Sequence, residues 1–176
     1  MTKNPAFNIS GMINFRAMED LTFTIQEMPE KTVMGIGRRT CNADGKSVED
    51  IPACWQEFLA TKAAAKIRHR SMPPSMLAVY SHYDSDWKGE YSYLIGCGVT
   101  KVDGVPKGMT VEKIPAQKYA VFPARGPMPD AVIGVWATIW GSDLPRTYSA
   151  DFEVYDSRFT HKTNPEVDVY VGVRDE

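Results

Sequence analysis

The sequence predicts an α+β fold: a duplicated β-α-β-β unit whose halves pair about a pseudo-twofold axis, giving a curved antiparallel sheet, two main helices and a central groove. Three observations carry that expectation. Most of the chain consists of short β-rich runs bounded by Gly, Pro, Asn and Asp. Two segments place apolar residues at helical spacing instead. The chain also repeats itself: Val111-Glu112-Lys113-Ile114-Pro115-Ala116-Gln117 parallels Ile25-Gln26-Glu27-Met28-Pro29-Glu30-Lys31, and Tyr119-Ala120-Val121-Phe122 stands where Val33-Met34-Gly35-Ile36 stood. The order strand, helix, strand, strand is given twice. Residues 1–20 read as an N-terminal extension and residues 21–176 as the domain, with halves of about 21–104 and 105–176.

Taken in order, Leu21 to Arg38 reads as one long strand interrupted at Pro29, which cannot donate to a ladder and so marks an edge or bulge. The first helix is expected over Ile51 to Ile67, with Ile51, Trp55, Phe58, Leu59 and Ile67 on its apolar stripe. Asp50 is its expected N-cap, because an earlier start would carry Pro52 beyond the tolerated first turn. Met76 to Tyr80 is a strand, Asp84 to Gly89 a turn, and Glu90 to Val99 the return strand. In the second half, Gly126-Pro127-Met128-Pro129 opens a helix with Val132, Ile133, Trp136, Ile139 and Trp140 on its stripe and Gly141 at its end. Two strands close the unit, Tyr148–Tyr155 and Val167–Val173, and Gly172 corresponds to Gly96.

Composition narrows the function. With 43% hydrophobic and 24% charged residues the chain buries a real core, which excludes disorder. A net charge of -2 argues against nucleic acid as a partner. The basic run Lys62, Lys66, Arg68, His69 and Arg70 reads as a solvated helix end. Cys41, Cys54 and Cys97 form no C-x-x-C pair, and His69, His82 and His161 have no ligand spacing, so no metal and no cofactor is expected. No run spans a membrane, and Met1 to Asp20 lack a signal-peptide core, so a cytoplasmic protein is expected.

The candidate site lies on the late strand Tyr148-Ser149-Ala150-Asp151-Phe152-Glu153-Val154-Tyr155. Alternation puts Glu153 and Tyr155 on one face, and in the next strand it sets Asp168 and Tyr170 against a row of valines. Paired as a hairpin, the two are expected to join carboxylates and tyrosines on a single face. The ordinary alternative is a solvated polar face. The counterpart of Glu153 in the first half is Ala78, so a symmetric fold does not require the carboxylate.

The doubled Pro-containing strand, the Ile114-Pro115-Ala116-Gln117-Lys118-Tyr119-Ala120-Val121 stretch and the run from Leu144-Pro145 to Phe152-Glu153-Val154-Tyr155 resemble the GyrI-like effector-binding domains. The resemblance covers residues 21 to 176. It implies a groove in which Glu153 receives lipophilic, aromatic cations, with Tyr155 and Tyr170 lining it and Phe122 as a wall. Trp55, Tyr80 and Trp136 join the expected set from this sequence's own pattern, with core packing as the alternative for both tryptophans. Only about twenty residues precede the first strand, too few for a helix-turn-helix unit, so a free-standing binder is expected. The alternatives from the same resemblance are a hydrolase of reactive electrophiles and a modulator of a protein partner such as a transcription factor or topoisomerase.

Overall fold

Eight strands and two long helices make up most of residues 22–174, which are described by a computed structural model. The expected extension, residues 1–20, lies outside the described residues. The strands are β1 (Thr24–Met28), β2 (Lys31–Cys41), β3 (Met76–Ser81), β4 (Glu90–Val99), β5 (Thr110–Ile114), β6 (Gln117–Arg125), β7 (Arg146–Tyr155) and β8 (Glu166–Val173). The helices are α1 (Lys46–Ala60), the single turn α2 (Ala63–Lys66) and α3 (Asp130–Trp140). Among the described residues no helix is long and apolar enough to cross a membrane.

All eight strands form one antiparallel sheet in the order β1-β6-β8-β7-β3-β4-β2-β5. Outward from its centre, β7-β8-β6-β1 on one side is matched by β3-β4-β2-β5 on the other. The first strand of each half therefore lies at the far edge, beside the other half. This corrects the expectation of one interrupted strand before Arg38. At Pro29 the chain leaves the sheet at one end and re-enters near the other, and Pro115 marks the same step between β5 and β6.

Those two steps force the curvature. Met28 and Lys31 are three residues apart, which limits their separation to about 10 Å, yet they belong to opposite ends of the strand order. The sheet must roll until its edges approach. A core cluster shows the result, joining Ile114 from one edge to Tyr119 and Val121 near the other, with Val33, Leu77, Val79, Leu94 and Phe152 between. Gly35 pairs with Gly96 where β2 and β4 approach closely. A Cβ on Gly35 would lie 2.0 Å from the Ile95 carbonyl oxygen, and one on Gly96 2.2 Å from that of Met34, so no side chain fits either position.

The helices pack on the other face. Cys54 and Phe58 of α1 seal a cluster with Met34, Ile36, Tyr91, Tyr93 and Ile95, while Val132, Val135, Trp136 and Ile139 of α3 cover the valines of β8. Three helix details differ from the sequence expectation. α1 starts at Lys46 rather than after Asp50, with Pro52 inside it. The carbonyl that Pro52 leaves without an N–H partner belongs to Val48, itself 61% exposed, so water can take the lost bond. The helix also ends at Ala60, since Lys62 turns left-handed (φ 50°) before α2. Leu59 and Ile133 point outward, 60% and 44% exposed, and Cys54 and Val135 take their places.

Candidate functional site

The register of the sheet sets one carboxylate in the middle of an apolar row. Across six strands the aligned residues are Ile36, Ile95, Ala78, Glu153, Val169 and Phe122. Glu153 sits on β7, directly opposite Ala78 on β3, at the central strand pair and beneath the helix layer. It is 2% exposed. The small side chain of Ala78 leaves room for the carboxylate and for the ring of Tyr80 beside it.

Three aromatic side chains satisfy Glu153. The Tyr80 hydroxyl and the Trp136 indole N–H donate to Oε1 at 2.8 and 2.7 Å, and the Tyr155 hydroxyl donates to Oε2 at 2.7 Å. A second ring of aromatics supports them. Tyr80 packs 5.0 Å from Trp136 and 5.2 Å from Tyr93, Trp55 meets Tyr155 edge-on at 4.8 Å, and the Trp55 N–H bonds the Tyr93 hydroxyl at 2.8 Å. Tyr80 and Tyr155 touch both helix-face clusters, so the site lies where the two clusters meet. Burial raises the pKa of Glu153, and the three hydrogen bonds, which favour the charged form, offset part of that rise. Burial and the nearby Glu153 charge in turn hold the Tyr80 and Tyr155 hydroxyls protonated, as donors, far above neutral pH.

A second buried carboxylate makes an instructive contrast. Asp151, two residues earlier on the same face, pairs with Arg146 at 2.6 Å, and both side chains are almost wholly enclosed. Tyr83 donates to Asp151 Oδ2 at 2.6 Å and the Gly172 N–H to Oδ1 at 2.9 Å. Burial works against the Arg146 charge, but the Asp151 carboxylate, together with Tyr83 and Tyr148, outweighs it and the arginine pKa is raised. Arg146 reaches Asp151 because β7 bulges between them. Arg146 pairs with Val173 and Asp151 with Val171, five steps along β7 against two along β8. Tyr148, left-handed at φ 54°, stands in this bulge with its ring 4.3 Å from the guanidinium. Among the described residues no ion pair reaches Glu153, and the three side chains that bond it are all neutral.

Two hollows open on the molecule, the first of them beside the site. One of about 230 Å³ has Tyr155, Phe159, Met76, Cys97 and Arg70 in its wall. The other, of about 300 Å³, lies under the end of α3 between Phe23, Phe122, Ile139 and Leu144. No group of His, Cys, Asp and Glu side chains among the described residues is placed to hold a metal ion.

The family model of the integron-associated effector binding proteins matches residues 24–173, most of the chain. The chain belongs to this family. As an integron-associated effector-binding protein it is 30% identical over 154 residues to YobU of Bacillus subtilis (strain 168), named as a candidate transcriptional regulator, covering 85% of this chain and 96% of that protein. Its fold matches the crystal structure of an integron cassette protein from the mobile metagenome of Vibrio cholerae, with a TM-score of 0.68, 27% identity, and coverage of 88% of this chain and 99% of that one. It also matches the structure of SAV2435 bound to tetraphenylphosphonium, with a TM-score of 0.72, 19% identity, and coverage of 88% and 94%. The expected GyrI-like effector-binding fold is therefore the fold of this protein, an antiparallel curved sheet with two main helices.

Of the residues singled out in the sequence, this effector-binding protein brings Glu153, Tyr155, Tyr80 and Trp136 into direct contact and sets Trp55 just behind them. Tyr170 is a correction. Glu153 pairs with Val169, and Phe152 pairs with Tyr170, so Tyr170 lies on the opposite face, stacked on Phe152 at 4.4 Å. The valine row of β8, not its tyrosine row, shares the face of Glu153. Phe122 shares that face but lies two strands away, its ring 5.0 Å from Phe23. Sequence reasoning missed Tyr93, Tyr91, Tyr83 and the Arg146–Asp151 pair. The alternation Tyr91-Ser92-Tyr93, on the strand that pairs with Tyr80, was the available signal for the first two.

Proposed function

We propose that this effector-binding protein takes lipophilic, aromatic cations, with Glu153 as their counter-charge. One observation carries the reading: Glu153 is a carboxylate in the core, met by three neutral donors, whereas its neighbour Asp151 has its own arginine. Removing a carboxylate from water is costly unless a cation balances it. The fold balances Asp151 internally, and that contrast supports reading Glu153 as the counter-charge of a ligand. A bound cation would offset the burial cost by Coulomb attraction, and the faces of Tyr80, Tyr155, Trp55 and Trp136 would each add about 0.5–2 kcal/mol of cation–π attraction.

Weakly hydrated organic cations suit such a box better than small ammonium ions, because they give up less hydration on entry. The enclosing groups are side chains on β3, β7, α1 and α3, so a ligand gains access by rotation of tyrosines and tryptophans without breaking a strand pair. The relative SAV2435, which shares this fold, holds tetraphenylphosphonium, and that supports the choice of cation class. The test is calorimetric titration of tetraphenylphosphonium into wild type and Glu153→Gln at pH 7. Gln keeps the shape and removes the charge, so affinity should drop by at least about tenfold. Equal affinity in the two proteins would refute the role of Glu153.

A further inference from the structure

Three indoles form a stack that runs from the surface to Glu153. Trp87, in the turn between β3 and β4, lies 5.2 Å from Trp140 with the ring planes 13° apart. Trp140, the last residue of α3, lies 6.3 Å from Trp136 with the planes 26° apart. Trp136 donates to Glu153 at 2.7 Å. Trp87 and Trp140 are half-buried and Trp136 is buried, so the stack passes from water to the core.

The outer member is firmly placed. Asn42 donates to the Trp87 carbonyl at 2.9 Å and accepts from the Tyr91 hydroxyl at 2.8 Å. The turn is closed by the Lys88 N–H on the Asp86 carboxylate at 2.8 Å and by the Gly89 N–H on the Asp86 carbonyl at 3.2 Å. Tyr91 leads back to the site, its ring 5.7 Å from Tyr80.

The outer end of the stack is net acidic, while at its inner end Arg146, already paired with Asp151, lies 5.8 Å from the Trp136 centroid. The chain already seats a cation of its own over the outer ring, with Lys88 Nζ 5.5 Å from the Trp87 centroid. The turn contributes Asp84 and Asp86 and the start of β4 contributes Glu90, with Arg39 pairing Asp84 and Glu90. Trp140 closes α3, where the helix dipole presents its negative end, and exposed Asp143 follows it. The hollow beside Tyr155, by contrast, has Arg70 in its wall.

We infer that Trp87 and Trp140 form an outer subsite that selects planar, polycyclic aromatic cations and passes them along the indole stack to the carboxylate; this rests on the Glu153 reading. A flat cation displaces the Lys88 ammonium from Trp87, lies parallel to the indoles, and moves inward past Trp140 to Trp136. A tetrahedral cation with four splayed rings cannot lie parallel to the stack and gains little from it. Trp87 and Trp140 thus set ligand shape, while Glu153 sets ligand charge.

The experiment compares ethidium, which is planar, with tetraphenylphosphonium, which is not, in wild type, Trp87→Ala, Trp87→Phe and Glu153→Gln. Trp87→Ala should weaken ethidium roughly tenfold, the size of one lost stacking and cation–π contact, and slow its association measured by stopped-flow tryptophan quenching. Tetraphenylphosphonium should keep its affinity to within about twofold, and Trp87→Phe should restore most of the ethidium affinity. Thermal melting confirms that each variant is folded, and Trp140→Leu, which keeps apolar bulk at the helix end, should show the same shift in ligand preference. Equal losses for both cations, or none for ethidium while Glu153→Gln remains impaired, overturn the subsite and leave the carboxylate reading intact. Wild-type affinity for both cations in Glu153→Gln overturns the carboxylate reading and the subsite with it.

Discussion

Neutralising Asp151 and neutralising Glu153 should have opposite consequences for stability, although the two are neighbours on one strand face. Asp151→Asn removes the charge that balances Arg146 across a 2.6 Å contact, with side-chain exposures of 0% and 3%. Arg146 Nε and Nη1 already lack partners, so the stranded guanidinium has nothing to turn to. Breaking one side of such a buried pair costs about 3–5 kcal/mol. For a chain of 176 residues, each kcal/mol is worth roughly 2–4 °C, giving a fall in Tm of about 6–20 °C. Glu153→Gln strands no cation. Its carbonyl can accept from Tyr80 and Trp136, its amide can donate to the Tyr155 oxygen, and the cost of burying an ionised carboxylate is gone. The change should lie within about 1 kcal/mol, or be stabilising. Urea unfolding followed by circular dichroism at pH 7 measures both. A double variant, Asp151→Asn with Arg146→Met, should recover part of the first loss, because the uncompensated charge is gone. If Glu153→Gln costs as much as Asp151→Asn, the Glu153 charge is part of the scaffold, and the reasoning that reserves it for a ligand fails.

The raised pKa of Glu153 gives a pH dependence of definite sign. The native state holds its proton to higher pH than the unfolded chain, whose value is near 4.5, so this group's contribution to stability is greatest below that value and declines as pH rises through the native pKa. Urea midpoints from pH 4 to 8 should show that decline in wild type relative to Glu153→Gln, and parallel curves would count against it. Affinity for a permanently charged cation should run the other way, falling up to about tenfold per pH unit below the free-protein pKa. Tyr170→Ala, on the far face, should cost roughly 1–3 kcal/mol through the lost Phe152 stack and leave cation affinity within about twofold. A large loss of affinity in the folded variant would refute the face assignment.

Much of this arrangement could be read from residue order, and the failures have specific physical causes. Period-2 alternation correctly sorted the residues within β7 and within β8. It could not say which face of one strand joins which face of the other, because that depends on register, and a one-residue change of register exchanges the faces. The pairing of Glu153 with Val169 decides it and sets Tyr170 on the far face, against the sequence expectation, whereas Tyr155 shares the face of Glu153 by alternation within β7 alone. The start of α1 was misjudged at Pro52 because the penalty for an internal proline depends on whether water reaches the freed carbonyl. The jump at Pro29 was invisible because a proline that ends a strand reads the same whether the next strand is adjacent or at the opposite edge. Arg146 and Asp151 escaped notice because a three-residue excess on β7 brings together side chains that simple alternation keeps apart.

The exchange of first strands between the halves has a mechanical consequence. β1 is donated to the second half and β5 to the first, each through a tether of two residues between strands. Neither half carries a finished edge of its own, so the sheet behaves as a hoop with two short clasps rather than as two plates on a hinge. A hoop of this kind resists spreading between β3 and β7, the strands under Ala78 and Glu153. Volume for a guest must then come from the layer outside the hoop, from α1, α3 and the indoles and phenols they press against the sheet. On the proposed function, the sheet would hold the charge at a fixed point while the helix layer adapts to the shape of the guest.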